Sequence, residues 1–335
     1  MISVIHRLVT DEYGENYWFN GCAKYVMECL GEKEYDYWFF AGLTGDLFTQ
    51  HYTYMKYSGD ALSSYAMDND PVQFVRDTFA KCGYEAEFVS KWELEQNTEE
   101  YLNKLITYID KGIPVIASGQ MTGVYVGYEE CGKILLYITG NNDQPQRMTL
   151  DEALRKTDGW DETRGQGGWI FIGDKKENFH LAQIYRNAIA DLQRHFTVRT
   201  DTYCFGPEAF RAWALDIENG KFDGMNAEEF DVWGHYTNYV CVLATNGSCC
   251  YGFLDKAGKL NPELIWLGEI EDLYRRTGRI WNNDNGNDLE ALGGGFNITL
   301  EILQDKEKRA EIAEAIRKCG ACMDGVLEII RHNIV

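Results

Sequence analysis

The chain has 335 residues, a length that fits two domains of ordinary size, and 45% of them are apolar, which is ample for a folded core. Asp and Glu outnumber Lys and Arg by 53 to 32, so the formal net charge is -21. A surface this negative repels phosphate backbones and anionic lipids, which argues against nucleic acid and against a membrane as partners. No apolar run approaches the roughly 20 residues of a membrane span.

Short apolar runs alternate with helical patterns up to about residue 173. Helices are predicted over residues 22–30, 71–81 and 98–110, and the capping-box pattern at 149–152 predicts a further short helix. Strands are predicted where Val, Ile, Tyr and Phe cluster between Gly, Asn or charged residues: 86–90, 113–117, 123–128, 133–139 and 169–173. Because the connections among the three middle strands are short, we expect antiparallel pairing and an α+β domain over residues 1–175.

From about residue 178 onward the pattern becomes helical. Apolar residues recur at helical spacing, and Pro207, Asn226 and the Asn261-Pro262 pair each supply a helix start. The predicted helices cover 181–192, 207–220, 226–254, a segment from 261 onward, and 305–332. Five helices without a convincing strand predict an α-helical domain over residues 176–335.

Whether the cysteines are thiols or disulfides depends on the compartment in which the protein is expected. Residues 1–10 lack a long apolar stretch, which predicts no signal peptide and a cytoplasmic location, where the ten Cys are expected to be thiols. Cys319 and Cys322 have C-x-x-C spacing, but they lie within a helical pattern, which favours packing over zinc or redox chemistry. No metal and no cofactor are predicted.

Cys22 is the cysteine with a catalytic interpretation. It follows Gly21 at a predicted helix start, where unpaired backbone N–H groups and the helix dipole favour a thiolate and can stabilise an oxyanion. The alternative is that Cys22 is a buried small apolar residue.

Six short motifs occur in order along the first half of the chain. They are Gly21-Cys22, Leu30-Gly31, and the segments 38–45 (WFFAGLTG), 111–117 (KGIPVIA), 124–129 (VYVGYE) and 136–143 (LYITGNND). Their order and spacing resemble the N-terminal family of butirosin-biosynthesis protein H, which is papain-like and lies near the bacteriocin-processing cysteine peptidases. The resemblance covers most of residues 15–173, and the helical second half looks similar in kind to the rest of these proteins.

The resemblance implies a fold and a chemistry. Residues 1–175 would form a papain-like domain in which Cys22 is the nucleophile, Asn16 an oxyanion donor, and Asn142 or Asp143 the residue that orients a catalytic His. Members of the family include an acyltransferase that moves an aminoacyl group from the thioester of a carrier protein onto an amine, and its relatives cleave peptide bonds. Both reactions need a thiolate, a His and an orienting residue.

The catalytic His of that pattern has no match in this chain. Relatives carry it just before the segment that corresponds to 124–129, but residues 120–123 read QMTG, and none of the six His lies between 52 and 179. General acid–base help is worth about 10²–10⁴-fold, so conventional peptidase activity should be impaired. His51 and His235 are the candidates to replace it, and Asp46 is a candidate acid.

Two functional hypotheses follow. The first is a cysteine-dependent acyltransferase or amide hydrolase. The second is a non-catalytic binding protein that uses the papain-like cleft for a small-molecule or peptide ligand. Whether the chain forms a homodimer is left open.

Two further sequence patterns each have two interpretations. The aromatic residues of 35–40 either form the wall of a ligand pocket or pack in the core, and we favour the core. Arg275, Arg276 and Arg279 lie near one face of a predicted helix, where they either hold a carboxylate or phosphate or pair with the abundant acidic residues, and we favour the pairing.

Overall fold

The computed structural model describes residues 2–8, 15, 17–54, 61–159, 167–232, 250–283, 286 and 288–333, without the side chains of 231 and 232. The chain divides into two compact units. The first comprises Met1–Thr44 and Ser63–His180, and the second comprises Gly45–Leu62 and Leu181–Val335. The sequence predicted one boundary, at residue 175, and did not predict that residues 45–62 belong with the helical part of the chain.

Strands are found in both units. In chain order they are β1 His51–Thr53, β2 Tyr84–Ser90, β3 Val115–Ser118, β4 Gly123–Glu129, β5 Ile134–Ile138, β6 Gln146–Thr149, β7 Gly168–Lys175 and β8 Tyr203–Phe205. Six of them form one antiparallel sheet in the first unit, in the order β2-β7-β3-β4-β5-β6, and β1 pairs with β8 in the second unit.

Helices surround the large sheet and make up most of the second unit. They are α1 Trp18–Cys29, α2 Tyr37–Thr44, α3 Leu62–Asn69, α4 Pro71–Ala80, α5 Lys91–Gln96, α6 Thr98–Asp110, α7 Leu150–Arg155, α8 Leu181–His195, α9 Pro207–Glu218, α10 Ala227–Val232, α11 Tyr251–Leu260, α12 Leu267–Trp281, α13 Leu300–Gln304 and α14 Lys306–Asn333. Within the described ranges, no helix is both long enough and apolar enough to cross a membrane.

The predicted antiparallel sheet is confirmed. β4 and β5 are neighbours, with Val124 opposite Ile138 and Tyr125 opposite Tyr137, and all five predicted strands are present with ends shifted by a few residues. The α+β class follows from this sheet and the surrounding helices. The sequence did not predict β6, because Gln146–Thr149 is polar and mostly exposed at the edge of the sheet.

The two faces of the large sheet hold separate apolar layers. Trp169 and Tyr125 pack edge to face, with ring centroids 5.5 Å apart, in a cluster that includes Leu105 and Ile109 of α6. Because strand side chains alternate, buried neighbours such as Ile170 point to the opposite face. The helix that carries Cys22, α1, packs against β3 and β4.

The second unit is built on helices, but the prediction that it has no strand is wrong. β1 lies far from β8 in the sequence, and pairing places His51 opposite Phe205. Tyr52 of β1 also donates a 2.6 Å hydrogen bond to Asp216 of α9, and the Tyr274 hydroxyl donates to the Phe48 carbonyl at 2.7 Å. These contacts explain why residues 45–62 belong to this unit.

The predicted helices of the second unit are present with corrected ends. The Asn226 capping box forms, since Asn226 Oδ1 accepts the Glu229 N–H at 2.9 Å and the Glu229 carboxylate accepts the Asn226 N–H. The long pattern predicted from there towards residue 254 falls partly outside the described residues. The helix predicted from Asn261 begins at Leu267 instead.

Candidate functional site

Cys22 does not lie at a helix terminus, so the prediction that it begins the helix is wrong. α1 begins at Trp18, which makes Cys22 its fifth residue. The helix begins before Cys22 because the buried ring of Phe19 packs against Phe74 of α4, with ring centroids 4.8 Å apart. The fifth N–H of a helix bonds to the carbonyl four residues earlier, so the backbone of Cys22 offers no free oxyanion donor.

The thiol of Cys22 lies in a dry environment. The residue has no exposed surface, and burial raises the pKa of its thiol well above its usual range. Within the part of the chain that the structure describes, no side chain hydrogen-bonds to this thiol or interacts with it electrostatically. The thiol therefore stays protonated at neutral pH, and a protonated thiol is a poor nucleophile.

The other predicted site residues are not assembled around Cys22. Asn16 lies outside the described residues. Asn142 closes the β5–β6 turn: its Oδ1 accepts the Thr139 N–H at 2.9 Å, and its side-chain amide donates to the Gln144 carbonyl at 2.8 Å. Asp143 is exposed, with a carboxylate oxygen 3.8 Å from Nε of Arg7. Asn142 has the ordinary role of a turn residue.

The described candidates for the missing proton transfer belong to the second unit, whereas Cys22 belongs to the first. His51 is fully buried in β1 of the second unit, its ring 5.5 Å from that of Phe205, and Asp46 is buried in the same unit. His235 lies outside the described residues.

His6 contacts the helix that carries Cys22, a contact that no local pattern in the sequence predicts. Its ring packs edge to face on Tyr25, with centroids 5.1 Å apart, and its Nε2 is 3.0 Å from Glu28 Oε2. Both contacts lie further along α1 than Cys22. The partners of His6 hold the N-terminal segment on α1, and the pairing with Glu28 is exposed.

Two other motifs have structural roles. Leu30-Gly31 ends α1 as predicted: Gly31 has φ +84° and donates to the Glu28 carbonyl, while the N–H of Glu32 donates to the Met27 carbonyl at 2.9 Å. The aromatic residues of 35–40 pack in the core as favoured, with four of them buried: Tyr35, Tyr37, Phe39 and Phe40.

The C-x-x-C pair also lies in a core. Cys319 and Cys322 are buried thiols within α14, where Gly320 allows close approach to Phe210 of α9. Burial raises the pKa of the Cys319 thiol. Across the described ranges, no group of three or more His, Cys, Asp or Glu side chains is arranged to hold a metal ion.

The second unit carries an open groove of about 720 Å³ between α12 and α14. Its apolar residues include Ile280 and Ala315, and Leu292 from the loop before α13 joins them. Arg276 and Arg279 line it from α12, with further charged residues from α14. The groove therefore joins an apolar floor to charged side chains, which is the usual make-up of a binding surface.

The three arginines that the sequence singled out have two different environments. Arg275 interacts with Glu271 through two hydrogen bonds, and its guanidinium lies 4.2 Å from the centre of the Tyr251 ring. The predicted pairing with acidic residues is thus confirmed for Arg275. Arg276 and Arg279 form no side-chain hydrogen bond and no ion pair with any residue that the structure describes.

Comparison with known proteins adds no assignment. No protein-family model matches the chain, and a search of the curated proteins finds no significant match.

Proposed function

We propose that this protein is a binding protein whose papain-like scaffold does not perform thiol catalysis. The observation that carries the proposal is the burial of Cys22 in the second turn of α1, with a thiol pKa raised by that burial. The ligand is a small molecule or a peptide.

A thiol-dependent acyl transfer needs three things that the described residues do not provide at Cys22. The sulfur must reach a carbonyl carbon, it must be a thiolate, and a base must take or return a proton. Cys22 has no exposed surface, its protonated form is favoured, and no imidazole among the described residues interacts with it. The antiparallel sheet and the helix ahead of it support the scaffold part of the proposal, because the motifs of the resemblance lie on these elements.

The test is alkylation of the native protein by iodoacetamide between pH 6 and pH 9, with each cysteine followed by mass spectrometry. Cys131 is the internal control, since it is exposed in the turn between β4 and β5. We expect Cys131 to be alkylated in the folded protein, because its side chain is exposed. Cys22 should stay unmodified until the protein is unfolded in urea.

The opposite result would restore the enzyme hypothesis. If Cys22 reacts faster than Cys131 at pH 6, an activated and accessible thiolate exists. The protein would then be a cysteine-dependent acyltransferase or amide hydrolase, and Cys22→Ser should abolish turnover of thioester and peptide substrates.

A further inference from the structure

The groove between α12 and α14 is formed by two antiparallel helices. Leu273 of α12 lies against Gly325 of α14, and further along α12 the groove joins residues 276–283 to residues 310–318. Higher numbers on one helix therefore meet lower numbers on the other, so the two helices run in opposite directions. On α12 the lining residues follow the spacing of one helix face. Two antiparallel helices with an apolar floor between them provide the surface on which a third helix packs.

The charges divide the groove into two ends. Because the helices are antiparallel, Lys318 of α14 lies on the side of the two arginines, and the acidic lining residues Glu314 and Glu311 follow towards the other end. The Lys318 ammonium is 3.9 Å from Glu314, so it is partly neutralised. The two arginines keep their charge without a partner among the described residues.

We propose that this groove binds an amphipathic helix of a partner protein that presents two acidic side chains one turn apart. Arg276 and Arg279 are themselves three residues apart on one face, and a guanidinium binds a carboxylate with two parallel hydrogen bonds. The apolar side of the partner helix would cover Ile280, Leu292 and Ala315. The proposal is independent of Cys22, which lies in the other unit.

The open form of the groove favours a helix over a small ligand. Drug-sized ligands bind in concave sites that enclose about 70–90% of their surface. Arg276, Arg279, Glu311 and Lys318 are all exposed, so the groove covers one side of an occupant. Charge complementarity selects the acidic partner: in a chain with a net charge of -21, two arginines on one helix face, neither paired with a residue that the structure describes, attract carboxylates against the overall repulsion.

Binding is tested by fluorescence anisotropy with the full chain and a panel of fluorescein-labelled helical peptides of 18 residues. Each peptide has Leu or Ile along one face and two Glu one turn apart beside that face. A twin of each peptide has Lys in place of both Glu. The variant is R276E/R279E, and the control is K308E/R331E, which changes the net charge by the same amount at two exposed positions of α14 away from the groove.

We expect saturable binding of Glu peptides, at least a tenfold loss of affinity in R276E/R279E, and less than a threefold change in K308E/R331E. Circular dichroism of both variants shows whether they remain folded. Equal binding of the Lys twins, equal loss in the control, or no saturable binding of any peptide overturns the proposal. If octanoate saturates the groove while the peptides do not, the occupant is a small carboxylate, and the proposal also fails.

Sedimentation velocity separates a partner protein from a second copy of this chain. The proposal predicts that the wild type and R276E/R279E have the same oligomeric state. A dimer of the wild type that dissociates in this variant would show that the groove is an interface between copies, which overturns the proposal.

Discussion

The region around Cys22 and the groove between α12 and α14 hold the two sets of side chains whose chemistry the sequence singled out. Cys22 has no exposed surface and lies where burial favours the neutral thiol. Arg276 and Arg279 are exposed and charged on an open surface. The residue with the stronger catalytic signature is thus held in an environment that suppresses its reactivity, whereas the ordinary surface residues are available to bind.

The contrast shows that a reactive type of residue forms a functional site only when its surroundings support its chemistry. A thiol becomes a nucleophile only where water, a base or a helix terminus stabilises the thiolate, and the second turn of α1 provides none of these. A guanidinium keeps its charge in any environment, so whether it can bind a ligand depends on whether a neighbouring side chain already pairs with it. Arg275 pairs with Glu271 and stacks on Tyr251, whereas Arg276 has no such partner in the part of the chain that the structure describes.

The largest effect on the free energy of unfolding is expected from placing a charge at Cys22. Cys22→Asp would bury a carboxylate with no partner, and we expect a loss of about 3 kcal/mol or more in the free energy of unfolding. Urea unfolding followed by circular dichroism measures it. The matched change in the groove, Arg276→Asp, should alter stability by less than about 0.5 kcal/mol. Equal tolerance of both changes would show that the surroundings of Cys22 are wet.

An intermediate effect is expected at Glu32, a carboxylate that the first unit holds with partners. It accepts a 2.7 Å hydrogen bond from the Tyr84 hydroxyl and pairs with Lys175. Burial alone would raise the pKa of Glu32, but the hydrogen bonds from Lys175 and Tyr84 bring it below its usual value. Glu32→Gln should therefore cost about 1–2 kcal/mol at pH 7.

The pH dependence checks the cause of that loss. Because the folded protein lowers the pKa of Glu32, the carboxylate contributes its stabilisation above the pKa of the unfolded chain, about 4.3, and loses it as the pH falls through the folded value. The difference in unfolding free energy between wild type and Glu32→Gln should be constant from pH 6 to 7 and shrink below about pH 4. Glu85→Gln, which breaks only an exposed pair with Lys176, is the control and should show almost no difference.

The smallest effects on the free energy of unfolding are expected at the neighbouring arginines Arg275, Arg276 and Arg279. Arg276→Ala and Arg279→Ala should each change the free energy of unfolding by less than about 0.5 kcal/mol, because neither side chain has a partner to lose among the described residues. Arg275→Ala removes both the Glu271 pairing and the stacking on Tyr251, so its melting temperature should be the lowest of the three. Differential scanning calorimetry measures this order. A lower melting temperature for Arg276→Ala or Arg279→Ala than for Arg275→Ala would contradict the assignment of partners.

Local sequence signals predicted much of the fold. The capping box at Thr149 forms, with its hydroxyl accepting the Glu152 N–H at 3.2 Å, and α6 spans Thr98–Asp110 as its apolar spacing predicts. The hairpin of β4 and β5 follows from two apolar runs with a short connection. In each of these cases the residues that decide the structure are close together in the chain.

The rest depended on contacts between distant residues. The start of α1 depends on Phe19 meeting Phe74, and the pairing of β1 with β8 joins segments that have no mutual signal in the sequence. The same holds for the candidate site. The sequence names Cys22 and the arginines, but burial of the thiol and the different partners of Arg275 and Arg276 arise only when the helices pack.

The pairing of β1 with β8 has a consequence for synthesis on the ribosome. Thr53 emerges about 150 residues before its partner Tyr203, which corresponds to roughly 8–30 s at ordinary elongation rates. During that interval the first unit can acquire all six strands of its sheet, whereas the strand His51–Thr53 has no partner to pair with. The nascent chain thus carries a strand whose three side chains become buried only in the folded protein, and it stays unpaired until translation has passed residue 205.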